Sequence, residues 1–462
     1  MVTLDRSLGD LDPGDVLIED GRIAEVGVDL EGGDWEQVDA GGRIVLPGFV
    51  DTHRHTWQTA MRGICADWTL LDYFRGVRLN IAQEYRPEDM YAGNLAGALE
   101  ALDAGVTTIL DFSHCNNSPD HADQALAGLR DAGLRATFAY GFYPVPLAEP
   151  HFSEHSQRLD DARRIRADAL PADDGLLRMG VALTELGIVP FSNSRAEIAL
   201  AGELDVLLTT HVGTVTSEGW PDEIELLAEA GLLGPGQVHV HCNACSDAAI
   251  GLIADAGAAV SVTPETELQM GMGFPVTGRA LERGLRPSLG CDIVSNQSGD
   301  MLGQLRLALQ VQRALDNQRE LDELEMPERL TLGARDALEM ATVNGAAALG
   351  LDSRIGTLSP GKEADVILVS TERLGMAPVN DALASAVLQA RPDDVETVLV
   401  GGRVVKRNGE LVEADAARAT RLVKQSRDRI IEAMEARGGL LLEMPDGWFE
   451  ATKQAFLQNL KA

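Results

Sequence analysis

Two imidazoles two positions apart, His53 and His55 in the run Asp51-Thr52-His53-Arg54-His55, are the first side chains of this sequence whose spacing could do chemistry. On a strand such residues point to one side, so His53 and His55 face one way and Arg54 the other, ready to share one ion. The pair alone is weak, because neighbouring histidines arise by chance in many chains. Other polar groups add weight: His211 falls at the end of the apolar run 205–213, His241 near the end of 237–243, and Asp292 ends 286–292. Three neutral imidazoles and a carboxylate drawn from this set suit one catalytic divalent metal, with a position left for water. Zn2+ is the first expectation, and Fe2+, Co2+ and Mn2+ are the alternatives.

Residues this far apart need a scaffold that gathers strand ends. Eight short apolar runs, 44–55, 107–114, 135–142, 177–183, 205–213, 237–243, 258–265 and 286–292, alternate with longer Ala/Leu-rich stretches of helical spacing. That alternation predicts α/β architecture with a parallel sheet. Eight parallel strands over this length fit a (β/α)8 TIM barrel, whose chemistry sits at the carboxyl ends of the strands. At both ends of the chain the texture changes to short strands and tight turns, with Asp20-Gly21, Gly401-Gly402 and Asn408-Gly409 as hairpin signals. The expected organisation is a β-sandwich from residues 1–48 plus 355–415, the barrel inserted as 49–354, and a helical tail over 416–462 that serves packing or oligomer contacts.

Composition narrows the function classes. The chain has 39 basic and 72 acidic residues, a formal net charge of −33, so its surface should repel nucleic acid and anionic membrane. No stretch approaches the roughly 18 consecutive apolar residues of a membrane span. The start, MVTLDRSLGDLDPGD, carries no secretory pattern, and five cysteines read as free thiols, so a cytoplasmic setting is expected. The one CxxC, Cys242 and Cys245, has no second pair to complete a structural zinc site. His114 ends the second run and either touches substrate or makes a structural hydrogen bond; His239 reads as core, and His121, His151 and His155 fall in loops or helices.

The run VLPGFVDTHRH, followed in order by His211, His241, Asp292 and the segment SPGKEADVILV, resembles the amidohydrolase superfamily over about residues 10–412. More narrowly it resembles the branch of cytosine- and adenosine-type deaminases, triazine chlorohydrolases, and phenylurea and molinate hydrolases. The resemblance implies a barrel flanked by a β-sandwich and a homo-oligomer, a dimer or larger. It makes His53, His55, His211 and Asp292 the metal ligands, Asp292 also the proton carrier, and His241 the group that polarises the substrate atom under attack. Many members hold two metals on a carboxylated lysine, but the first lysine here is Lys362, so a mononuclear metal site is expected.

Two departures bear on the reaction. Deaminases of this branch usually carry a glutamate three residues beyond the strand-5 histidine, where this chain has Thr214, and threonine is no general acid near pH 7. Where members often read SHNP, this chain has Ser261-Val262-Thr263-Pro264 followed by Glu265, a possible substitute acid. The leading expectation is therefore an enzyme, an amidohydrolase-type hydrolase that cleaves a nonpeptide C–N bond of a small amide, urea or carbamate-like substrate. The alternatives are a deaminase or dechlorinase of a nitrogen heterocycle and, more remotely, a noncatalytic metal-binding protein. Substrate contacts are expected from Thr214, His114, Tyr143 and the first loop, 56–78, with Trp57, Gln58, Trp68, Leu71, Tyr73 and Phe74.

Overall fold

The computed structural model describes residues 1–462 except Gly32, Asp34 and Glu413. Near the amino end, β1 (Asp15–Glu19) and β2 (Arg22–Gly27) form a hairpin, and β3 (Arg43–Pro47) follows. Eight parallel strands then run in chain order: β4 (Phe49–Arg54), β5 (Val106–Ser113), β6 (Arg135–Gly141), β7 (Leu177–Ala182), β8 (Leu207–Val212), β9 (Gln237–His241), β10 (Ala259–Val262) and β11 (Ser288–Leu289). The last strands, β12 (Val366–Ser370), β13 (Val395–Val400), β14 (Arg403–Arg407) and β15 (Glu410–Leu411), join β3 in an antiparallel sheet ordered β15-β14-β13-β12-β3. The architecture is thus a TIM barrel plus a β-sandwich built from both chain ends, as expected.

The run 44–55 was expected to be one barrel strand, and it is two. Gly48 divides it: β3 pairs with β12, whereas β4 pairs with β5. A Cβ at Gly48 would lie 2.2 Å from Thr107 Oγ1, so only glycine lets the chain pass from one sheet to the other against β5. All three expected turns have both central residues at positive φ, Asp20 and Gly21, Gly401 and Gly402, Asn408 and Gly409, the geometry that fits strand twist. The hairpin and the antiparallel sheet close on Ile23, Val45, Leu358, Val366, Leu368 and Leu399.

The barrel closes at the site itself. The Asp292 amide donates to His53 O at 2.8 Å and the His55 amide to Asp292 O at 2.9 Å, stitching the end of β11 to β4. Beneath, Val50, Leu110, Phe112, Ala139 and Ala182 fill the interior, with Leu349, Leu351 and Ile355 packed against them. Burying side chains at each strand makes this a packed core, not a pore, and leaves only the carboxyl-end rim free for chemistry. The tail forms helices Ala416–Ala436 and Trp448–Asn459; Arg429 of the first pairs with Asp89, and Phe456 of the second packs on Trp220 with ring centroids 4.1 Å apart.

Candidate active site

His53 and His55 from β4, His211 from β8 and Asp292 beyond β11 converge. His211 Nε2 lies 3.2 Å from both His53 Nε2 and His55 Nε2, and Asp292 Oδ1 is 3.2 Å from the first and 3.4 Å from the second. Donors about 2.0 Å from a tetrahedral ion stand roughly 3.3 Å from one another, so these separations are those of a ligand shell. Donor atoms of His53, His55 and Asp292 lie within 4.8 Å of one another, as do those of His53, His211 and His241, and such sets fit a divalent metal.

Local bonding fixes which nitrogen is offered. His55 Nδ1 donates to Phe112 O at 2.9 Å, and His211 Nδ1 donates to Glu185 Oε1 at 3.1 Å, leaving each Nε2 lone pair for the ion. Burial lowers the pKa of His53 to about 4 and pushes those of His55 and His211 below the ordinary imidazole range, so all three are neutral near pH 7. Burial alone would raise the Asp292 pKa, but its contact with His53, and with His241 and His55 beside it, more than offsets this and lowers it. Asp51 braces the motif from behind: it accepts from Arg54 Nε at 2.8 Å and from the Cys291 amide at 3.0 Å. Arg54, facing away from the ion as its register requires, is therefore a structural clamp.

A small cavity opens over these donors, lined among others by Tyr73, Phe74, Arg78, Glu185, Thr214 and His241. His241 ends β9 at φ +74°, and its Nδ1 lies 3.0 Å from Thr263 Oγ1 and 3.4 Å from Glu267 Oε1. Arg78, at the end of a π-helical turn Phe74–Arg78, donates to Glu185 Oε1 at 2.8 Å and stacks 3.9 Å over Tyr143. Despite burial, Arg78 and His211 hold the Glu185 carboxyl well below its usual range.

Several expected contacts lie elsewhere. Trp57 and Gln58 are wholly buried behind the wall, Trp57 Nε1 donating to His114 Nδ1 at 3.0 Å and Gln58 Nε2 to Tyr73 Oη at 2.7 Å. His114 stacks on His55 with centroids 4.2 Å apart, and Tyr143 backs Arg78; neither lines the cavity. Only Thr214 of the five does, although Tyr73 and Phe74 of the first loop do so as well. Glu265 is also outside: its Oε2 accepts from Gln304 Nε2 at 2.6 Å. The segment Pro264–Gln269 is a short helix, in which residues two apart diverge by roughly 200°. Glu265 and Glu267 therefore face opposite ways, and Glu267 reaches His241.

Glu185, Arg78 and Glu267 were not foreseen as site residues. Glu185 stands two residues past the fourth run, so its place near the rim was the available signal; the other two gave none.

The family model for the amidohydrolase family matches residues 44–405. The chain belongs to the amidohydrolase family. This amidohydrolase is 31% identical over 412 residues to a 5'-deoxyadenosine deaminase of Methanothermobacter thermautotrophicus, covering 87% of this chain and 91% of that protein. It is 27% identical over 405 residues to a 5-methylthioadenosine/S-adenosylhomocysteine deaminase of Acetivibrio thermocellus, covering 85% and 88%. Among solved structures, an adenosine deaminase from Xanthomonas campestris with bound zinc superposes with a TM-score of 0.81 at 24% identity, over 91% of this chain and 94% of that one. Atrazine chlorohydrolase TrzN from Arthrobacter aurescens, complexed with zinc, gives 0.78 at 22% identity over 92% and 98%. The amidohydrolase is a metal-dependent hydrolase acting on carbon–nitrogen bonds other than peptide bonds. No helix among its described residues is long and apolar enough to cross a membrane.

When bound, a divalent ion supplies Lewis acidity that lowers the pKa of water from about 15.7 toward 7. The rest falls to the chain. Asp292, ionised and on the cavity wall, can take the proton of the attacking water and return it to the departing nitrogen; His241, facing the same space, can stabilise charge developing on the substrate.

Two expected outcomes follow from the surroundings. Glu185→Gln should weaken metal affinity roughly 10- to 100-fold, since partners of ligand histidines have effects of that size, as read by competition against a chromophoric chelator. Unchanged affinity would show that His211 needs no carboxylate partner. Glu265→Gln should change turnover only a few-fold. Burial first, and Asp300 second, raise the Glu265 pKa to about 7. Its carboxyl thus binds a proton more tightly folded than unfolded, and its contribution to stability is lost as pH rises from about 4.5 through about 7. The glutamine variant should therefore lose less stability than the parent over that window in urea titrations.

Proposed function

We propose that this amidohydrolase hydrolyses the C–N bond of a small amide, urea or carbamate-like compound, using one Zn2+ held by His53, His55, His211 and Asp292. The observation that favours this reading is that, among the described residues lining the cavity, no carboxyl besides Asp292 is free to protonate a ring nitrogen. The resemblance implies that Thr214 stands where deaminases of the branch usually carry glutamate, and Arg78 and His211 hold the Glu185 carboxyl well below its usual range. A carbonyl polarised by the ion and His241 needs no ring protonation. A single ion is also in keeping with the sequence, because Lys362, the first lysine, donates to Ile355 O rather than to the site.

Deamination of a purine-like ring is the second reading, favoured by the 5'-deoxyadenosine deaminase that is 31% identical over nearly the whole chain. A panel of ureas, carbamates, amides and amino-heterocycles, tested on zinc-reconstituted protein with ammonia and larger amines measured separately, decides between them. Larger amine as the main product supports carbonyl hydrolysis; ammonia from a ring amine overturns it. Five free, buried thiols are in keeping with a reducing cytoplasmic setting, and the homo-oligomer is checked by light scattering.

A further inference from the structure

We infer that Glu267 is a positioning residue for His241. It rests on the hydrolase reading and not on which C–N bond is cleaved. Glu267 is wholly buried and does not line the cavity. Its Oε1 accepts the Thr263 amide at 2.8 Å and the Thr263 hydroxyl at 3.3 Å, and lies 3.4 Å from His241 Nδ1. The coherent assignment has His241 Nδ1–H directed at Thr263 Oγ1, 3.0 Å away, and at Glu267, with the threonine hydroxyl donating onward to the carboxylate. Nδ1 is thereby engaged, and Nε2 is the ring nitrogen left to meet the substrate atom under attack.

Two further features single this contact out. Glu267 Oε2 is buried with no hydrogen-bond partner among the described residues, which costs stability. His241 and Cys242 both sit at positive φ, +74° and +60°, a backbone geometry that persists when the surroundings over-determine it. The helix Pro264–Gln269, which follows the next strand, holds the ring through a carboxylate two residues beyond the one the sequence suggested.

The test compares Glu267→Ala and Glu267→Gln on whichever compound the substrate panel shows to be turned over, so a wrong guess about the bond leaves it intact. Glu267→Ala should lower kcat by about 10² or more, with KM and bound metal close to the parent. Glu267→Gln, which keeps an acceptor oxygen at Nδ1, should recover most of that loss. Full kcat in soluble, metal-loaded Glu267→Ala overturns the inference, and so does a kcat loss matched by equal loss of metal or melting temperature. Should the alanine variant fail to fold, Glu267→Asp, which withdraws the carboxylate by one methylene, must show the kcat loss; full kcat there overturns it equally.

Discussion

Asp292→Asn should leave a folded barrel with essentially no turnover. The residue has two tasks that an amide cannot share. Its Oδ1 stands among the Nε2 atoms of His53 and His55, and its negative charge balances the ion there. Of the two carboxylates among the described residues lining the cavity, Glu185 is paired with Arg78, which leaves Asp292 to carry the water proton to the departing nitrogen. Proton carriage alone is worth roughly 10² to 10⁴ in rate, and weakened metal binding adds to the loss. The fold should survive because the links of residue 292 to β4 are made by its backbone, through His53 O and the His55 amide. Steady-state kinetics beside a thermal melt checks this; a variant within tenfold of the parent would remove Asp292 from the mechanism.

Stripping the protein with a chelator should abolish activity, and one equivalent of Zn2+ per chain should restore it. His53, His55 and His211 are neutral near pH 7 because burial disfavours their charged forms, so they present lone pairs to one another at 3.2 Å where the structure records those contacts. A divalent cation at the point they face satisfies that arrangement. The barrel should nevertheless remain folded, since its interior packs on Val50, Leu110, Phe112 and Leu349 independently of the ion. Circular dichroism of the stripped protein and metal analysis after reconstitution measure both halves. Full turnover without metal, or a stoichiometry of two, would contradict a single-ion site.

The sequence by itself determined the frame of this site. Alternating apolar runs and helical stretches implied the barrel, and His53, His55, His211, His241 and Asp292 each stood near a run's end, where strand periodicity and barrel geometry leave little choice. Hairpins were equally legible, because Asp20-Gly21 and its counterparts encode positive φ locally. Tertiary structure decided what touches what. Trp57 and Gln58 looked like a substrate wall yet pack behind one, since strand and loop composition does not say which face a side chain turns to. Glu265 and Glu267 could not be told apart, because six residues are too few to separate a helical period from a strand period. Arg78 and Glu185 meet in an ion pair and Glu185 and His211 in a hydrogen bond, across chain separations of 107 and 26 residues, contacts that only the tertiary packing of loop and strands creates.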